Sequence, residues 1–560
     1  MSYFDDASLV MIPSGYKDQK VYSVKPIDGS GDLTFSRASS ATRVNSSGLV
    51  EKVRTNLLLQ SNGFDTASWT KNLVSVTAGQ SGYDGTNNAF LITNSAGTST
   101  EYRIRQDAIS ISAGLNAVSV YMKAGTSNFG YIQIVTATEN IYFLINLTTG
   151  ATNTLTAGIG VFSENVGNGW WRIKSFWTSA SASVSFRVGI ASSLTTPFYT
   201  SAGGDSIVAQ AAQLEAGDIA TDYIATTSAA VSVGPVSGLP RLDYSGGCPS
   251  LLLEPQRTNL LQYSEQFDNA YWVKNTTTVT ANALISPDGY QNADIFEATG
   301  GLSRVQKNPA LGAGTYTVSV YMKAESGSGT ARILCVVDGG VVEEEFTITT
   351  TWQRFTSTFT ASSSVTDVQF RASSFLGNIG IWGAQLEAGA YATSYIPTLS
   401  TAVTRVGDSA LKTGISSLIG SATGTVFFDV DNVRQTGTAD IDLLTLVNEA
   451  SPTLGAYVLN FRQSGNMRIY NLPDNSQYTV KSGDNLGQRL KIAFAYASGD
   501  FVCYVNGVQT FTSSSVGTTS GLSKIGINDN AIKQGVAEIN QLLLFPTRLS
   551  NADLATLTTI

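Results

Sequence analysis

Arg54-Thr55-Asn56-Leu57-Leu58 opens a stretch that runs through Val118-Ser119-Val120-Tyr121-Met122-Lys123-Ala124 and closes on Gln213-Leu214-Glu215-Ala216-Gly217. The same phrases return in the same order as Arg257-Thr258-Asn259-Leu260-Leu261, Val318-Ser319-Val320-Tyr321-Met322-Lys323-Ala324 and Gln385-Leu386-Glu387-Ala388-Gly389. Phe64-Asp65 and Trp69 recur as Phe267-Asp268 and Trp272. The chain therefore contains a duplicated domain. The copies are offset by 203 residues at the opening phrase (Arg54 to Arg257), 200 in the middle (Val118 to Val318) and 172 at the close (Gln213 to Gln385). Such a period is far longer than the roughly 20–50 residues of a solenoid repeat, and each copy is long enough to be a domain of its own. Most of the length difference lies after the middle phrase, between Lys123 and Gln213, which is where a binding function peculiar to one copy is expected.

Within each copy the chain reads as strands. Trp171-Arg172-Ile173-Lys174-Ser175-Phe176-Trp177 alternates, with Trp171, Ile173 and Trp177 on one face and Arg172, Lys174 and Phe176 on the other. Trp352 is read as taking the place of Trp171. Eight or nine strands per copy, at turn spacings of about 8–12 residues, predict a two-sheet sandwich. The wider composition agrees: 42% apolar residues, only 14% charged, and 53 Gly, 23 Tyr and 24 Phe suit many short strands joined by tight turns.

The expected organisation has five parts: a leader over 1–53, a first jelly-roll module over 54–231, a Gly/Pro-punctuated linker and lead-in over 232–256, a compact second module over 257–408, and a third sandwich over 409–560. The fold class is all-β. The leader is too short to bury its own core and is expected to pack on a neighbour or a larger particle. A short helix, N-capped by Ser550, is expected near the C-terminus.

Charge and composition exclude whole classes of function. The net charge is −8 and no Lys/Arg-rich run occurs, which argues against nucleic acid as a partner. No apolar run reaches the length of a membrane span, and the start, Met1-Ser2-Tyr3-Phe4-Asp5-Asp6, lacks the basic region of a signal peptide. A soluble product of the cytoplasm is expected. Histidine is absent, which removes Ser-His-Asp and Cys-His catalysis and His-ligated zinc. The three cysteines, Cys248, Cys335 and Cys503, are expected to be reduced thiols.

Two resemblances attach to these residues. The strands Lys491-Ile492-Ala493-Phe494-Ala495-Tyr496 and Tyr504-Val505-Asn506-Gly507, followed by Leu542-Leu543-Leu544-Phe545-Pro546, resemble the concanavalin A-like, laminin-G-type fold over about 409–560. The duplicated cassette, together with Ser36-Arg37-Ala38-Ser39-Ser40-Ala41-Thr42-Arg43-Val44, resembles carbohydrate-binding-module-like jelly rolls in structural and fibre proteins of tailed bacteriophages, including those infecting Bacteroidetes. The resemblance implies a virion appendage on head or tail, a homotrimer held to other virion proteins through the leader, that displays its modules to host-surface glycans. A capsule-degrading depolymerase and a spacer that binds no sugar are the alternatives.

Candidate site residues follow. Sugar rings stack on aromatic side chains, and among Trp69, Tyr102, Trp170, Trp177 and Trp272 the preferred glycan-binding candidates are Tyr102, Trp177 and Trp170; Tyr102 and Trp177 are read as lacking counterparts in the second copy. Glu215 and Glu387 are read as structural, bonded to backbone or to Arg54 and Arg257, because glycoside hydrolysis needs two carboxylates in one cleft. No catalytic residue is expected. Both resemblances imply a possible structural Ca²⁺, for which Asp84, Asp288 and Asp294 in Gly/Asn-rich loops are candidates.

Overall fold

The computed structural model describes residues 3–300, 302–375, 377–435, 440–451, 456–471, 476–515 and 520–560. Met1 and Ser2, where the signal-peptide reading begins, lie outside them. Strands dominate, and the helices among the described residues are the short segments Tyr3–Asp6 and Asn551–Leu557. Ser550 caps the second of these, its hydroxyl accepting from the Asp553 N–H. No helix among them is long and apolar enough to cross a membrane. The chain divides into two compact units: Val53–Gly234 with Tyr290–Asn292, and all the rest.

The first unit is the first module, a jelly-roll sandwich of two six-stranded antiparallel sheets. One sheet centres on Gly114–Ala124, flanked by Trp170–Ser179 and Ser206–Ala216; the other centres on Phe129–Val135 and Ser183–Ile190. Parity along Trp170–Ser179 is as the alternation predicts: Ile173 and Trp177, with Trp171 at its rim, face the core that Val118, Val120 and Leu214 also fill. The second module repeats this design with two five-stranded sheets, centred on Gly314–Ala324 and Val365–Ala372 with Gly329–Val337.

Register corrects one correspondence. Met122 lies opposite Trp171 but Met322 lies opposite Gln353, so Trp352 holds the place of Trp170 and not of Trp171. Trp177, opposite Asn116, is matched by Phe359 opposite Tyr316, both rings facing the core.

The third sandwich is not confined to residues after 408. Leu9–Met11 and Ser250–Leu253 both pair with Val536–Phe545, and Leu33–Ser36 pairs with Ser409–Lys412. Leu9, Met11, Leu33, Phe35, Leu251 and Leu253 are buried in one core with Phe428, Ile492 and Leu542. Residues read as leader and linker are thus strands of this sandwich, covering edges that would otherwise present unpaired backbone groups. Strands three or four residues long have little stability alone, and the long strand Val536–Phe545 supplies the template.

A buried ionic network joins the same pieces. Arg37, Arg241 and Arg405 surround Glu254 and Asp408, and all five side chains are essentially inaccessible. Arg37 Nη1 lies 3.1 Å from Asp408 Oδ1, and Arg241 and Arg405 each lie 2.7 Å from Glu254 Oε2. Arg241 also donates to Asp408, and Arg37 donates to the carbonyls of Pro235, Val236 and Leu239. Burial alone would raise the Glu254 carboxyl, but Arg405, Arg241 and the bonds from Ser394 outweigh it and hold it at about 2. Burial lowers Arg37 to about 10 against the attraction of Asp408.

Candidate functional site

The repeated phrases form a clamp. In the first module, Asn56 Nδ2 donates to the carbonyls of Ala212 and Ile224 while its Oδ1 accepts from Leu58 and Leu214 N–H. Asn259 makes the same four bonds to Ala384, Ile396, Leu261 and Leu386. One buried side chain thereby ties the opening strand to the closing strand, using every donor and acceptor of its amide. Trp69 and Trp272 donate to the carbonyls of Gln60 and Tyr263 and lie in the cores.

The glutamates belong to the same framework. Glu215 accepts from Thr221 N at 2.9 Å and from the Thr221 hydroxyl, and Glu387 accepts from Thr393 N at 2.9 Å and from the Thr393 hydroxyl. Burial pushes the Glu215 carboxyl up, opposed by the Thr221 bonds. These carboxylates brace the turn after the last strand through its backbone, as the structural reading expects, with the threonine hydroxyl added and, for Glu215, the charge of Arg54 nearby.

The three preferred aromatic candidates are inside the protein. Tyr102 is 0% exposed, Trp170 1% and Trp177 2%. The Tyr102 hydroxyl donates to Gly97 O at 2.8 Å, Trp170 lies edge-on to Tyr83, and Trp177 packs in the core. A ring with no accessible face offers no stacking surface, so none of the three is a glycan platform as the chain stands.

The calcium candidates are committed to other bonds. Asp84 accepts from Thr86 N, the Thr86 hydroxyl and Gln210 Nε2. Asp288 lies 2.7 Å from Lys52 Nζ, and Asp294 accepts from the backbone N–H groups of Phe267 and Asn282. Among the described residues no group of three or more Asp, Glu or Cys is placed to hold a metal ion. These surroundings do not fit a Ca²⁺ site.

An exposed platform lies where the copies differ in length. The first module adds the edge strand Val161–Gly167, pairing with Trp170–Ser179; in the second module the equivalent strand Gln353–Ala361 is itself the edge. Phe162 on the added strand is 53% exposed and stacks on Phe176, with ring centroids 6.3 Å apart and planes 13° from parallel. Beside the rings, Lys174 Nζ lies 2.8 Å from Glu164 Oε2. Hydrogen bonding to Lys174, more than burial opposes it, lowers the Glu164 carboxyl. The platform thus combines two parallel rings with one donor and one acceptor at the surface. In the second module the corresponding face carries threonines, Thr358 bonded to Thr317 and Thr360 to Thr315. The alternation places Phe176 on one face with Arg172 and Lys174 without saying which face is outward, and nothing in the segment of Phe162 shows which strand it will join.

Comparison with known proteins gives partial structural likenesses. No family model matches the chain, and no curated protein matches it in sequence. A carbohydrate-binding module (CBM40) of the Ruminococcus gnavus IT-sialidase, solved with α2,3-sialyllactose, is 13% identical over 26% of this chain and 86% of its own, with a TM-score of 0.22. The tandem CBM22 domains of Paenibacillus barcinonensis Xyn10C are 10% identical over 60% of this chain and 97% of theirs, with a TM-score of 0.22. The NanB sialidase of Streptococcus pneumoniae is 16% identical over 25% of this chain, with a TM-score of 0.21, and the match spans only 24% of that enzyme. The all-β sandwich assignment rests on the sheets described above.

Proposed function

We propose that the chain is a non-enzymatic carbohydrate-binding protein, a phage virion appendage that holds host-surface glycans through its first module. The observation that carries the binding part is the Phe162–Phe176 platform with Lys174 and Glu164 beside it. A pyranose presents an apolar C–H face to such rings, while its hydroxyls meet the ammonium and the carboxylate. A bracing role is favoured for the repeated glutamates because Glu215 is held by Thr221 and Gln213 and Glu387 by Thr393, and the absence of histidine removes His-dependent hydrolysis. The virion setting, the homotrimer and the concanavalin A-like character of the third sandwich come from the resemblance of the sequence phrases. Weak single-site binding would then be raised by multivalency, by about 10² to 10⁴ where geometry permits.

The test is a glycan array and calorimetry on the full chain against Phe162→Ala/Phe176→Ala. The double variant is expected to lose at least about tenfold in affinity, the equivalent of roughly 1.4 kcal/mol, at unchanged melting temperature. Equal binding by both proteins would overturn the platform. Sustained release of reducing ends from host polysaccharide would instead favour a depolymerase, and silence on the array together with virion association would favour a spacer.

A further inference from the structure

A cavity of about 260 Å³, lined by both apolar and charged side chains, lies in the larger unit, walled by the N-terminal stretch, the lead-in to the second module, that module's outer sheet face and the third sandwich. At roughly 30 Å³ per water molecule, it has the volume of eight or nine waters, enough for one sugar ring. Its lining is chemically unusual. Asp243 is buried and accepts only backbone N–H bonds, from Val44 at 2.7 Å and Ser245 at 2.9 Å. Glu538 accepts from Asn432 Nδ2 at 3.0 Å. Arg434, at the mouth, uses Nε on Asn432 Oδ1 at 2.7 Å. Among the described residues, Asp243, Glu538 and Arg434 have no ion-pair partner, and the Tyr321 hydroxyl on the same wall has no hydrogen bond.

Backbone geometry aims this set. The strand Gly424–Arg434 slips register against Val536–Phe545 between Asp431 and Arg434, and Asn432 within that bulge has φ +52°. A β-bulge re-aims side chains, and a non-glycine residue in the left-handed region is uncommon outside such special positions. Here it sets Asn432 between Glu538 and Arg434. Burial raises the Glu538 carboxyl, and the nearby carboxylates of Asp243 and Asp431 add to this against the bond from Asn432.

Unpaired carboxylates, a guanidinium with free terminal nitrogens and a free phenol around one small space call for a ligand that donates and accepts at many points. A neutral sugar does both: its hydroxyls donate to carboxylates and accept from guanidinium and phenol. We propose that this cavity is a second saccharide site, taking one neutral hexose unit at a glycan end, with Asp243 and Glu538 accepting from its hydroxyls and Arg434 and Tyr321 donating. The site is built by other modules than the Phe162–Phe176 platform and stands or falls independently of it.

The test uses the full chain carrying Phe162→Ala/Phe176→Ala, titrated by calorimetry with the methyl glycosides of D-glucose, D-galactose and D-mannose. One of them is expected to bind at one site per chain. Glu538→Gln and Arg434→Ala, added singly, are each expected to weaken that binding at least tenfold; Arg434 is exposed, so its variant keeps the melting temperature. No binding by any of the three glycosides would overturn the proposal, as would binding that neither substitution alters. Failure of the platform is read separately, from the difference between the parent chain and its Phe162/Phe176 variant.

Discussion

The two modules share a clamp and differ at their edges. Asn56 and Asn259 make the same four bonds, Glu215 and Glu387 brace the same turn, and Arg172 and Arg354 both donate to the serine of the central strand, Ser119 or Ser319, and to the carbonyl of Thr221 or Thr393. Beyond this, the first module adds the strand Val161–Gly167 with its exposed ring, whereas the second sends its final strand into a buried ionic network. The residue opposite Arg54 is Val233, 44% exposed, and the residue opposite Arg257 is Arg405, fully buried. Duplication preserved what closes the sandwich, and the positions outside that closure took separate roles.

The largest contrast should come from those two paired positions. Arg405→Ala removes a guanidinium 2.7 Å from Glu254 and 2.8 Å from Pro255 O, leaving the buried Glu254 with Arg241 as its one cation among the described residues and the Pro255 carbonyl without that donor. The expected cost is about 3–5 kcal/mol in chemical denaturation of the larger unit. Val233→Ala, at the matching place in the first module, should cost less than about 0.5 kcal/mol. Equal costs would show that the network adds nothing particular to the second module.

Next in size is the shared clamp. Asn56→Ala and Asn259→Ala each leave two buried carbonyls and two N–H groups without their partner, which should cost roughly 2–4 kcal/mol apiece. The comparison predicts similar losses, each confined to the unfolding transition of its own unit. A marked inequality would mean that the identical bonds are supported unequally by their surroundings.

How much of this could be read from the sequence follows from the range of each interaction. The clamp was legible because its residues recur in order, and the parity of Trp171 to Trp177 because a period of two needs only neighbouring residues. The roles of Leu9–Met11 and Ser250–Leu253 were not, since strands so short are defined by a partner, Val536–Phe545, hundreds of residues away. Trp352 was matched one residue out of register through its resemblance to Trp171. Arg172 and Arg354, which make equivalent bonds, are the better guide. The aromatic candidates failed for a related reason: Tyr102, Trp170 and Trp177 were chosen by residue type and, for Tyr102 and Trp177, by apparent absence from the other copy, neither of which reports solvent access. Phe162 is exposed because its added strand lies at the sheet edge.

Acid separates the units by a smaller amount. Glu254 is held at about 2, below its ordinary 4.5, so its stabilisation is complete above 4.5 and is lost as pH falls toward 2. Glu215 has the opposite sign. Its carboxyl is raised by burial, so its contribution is complete below 4.5 and is lost as pH rises through the raised value. Scanning calorimetry between pH 6 and pH 3 should therefore show the transition of the larger unit falling relative to that of the first module, by roughly a few degrees. Parallel movement of both transitions would remove the electrostatic part of the contrast.

The smallest effect on stability isolates function best. Lys174→Met breaks the pair with Glu164, whose side chains are about one-third and one-half exposed, and such surface pairs contribute no more than about 0.5 kcal/mol. The melting temperature of the first module should stay within experimental scatter, because the aliphatic part of Met still covers the strand beneath. Glycan affinity should nevertheless fall about threefold or more, since a hydroxyl stacked over Phe162 and Phe176 loses its cationic donor and a charged hydrogen bond counts for more than a neutral one. A change in melting temperature without a change in affinity would make the pair a brace for the added strand, and the rings alone would then define the platform. Unchanged stability with weakened binding would show that the added edge strand serves the ligand and leaves the closure of the sandwich to the clamp that both modules share.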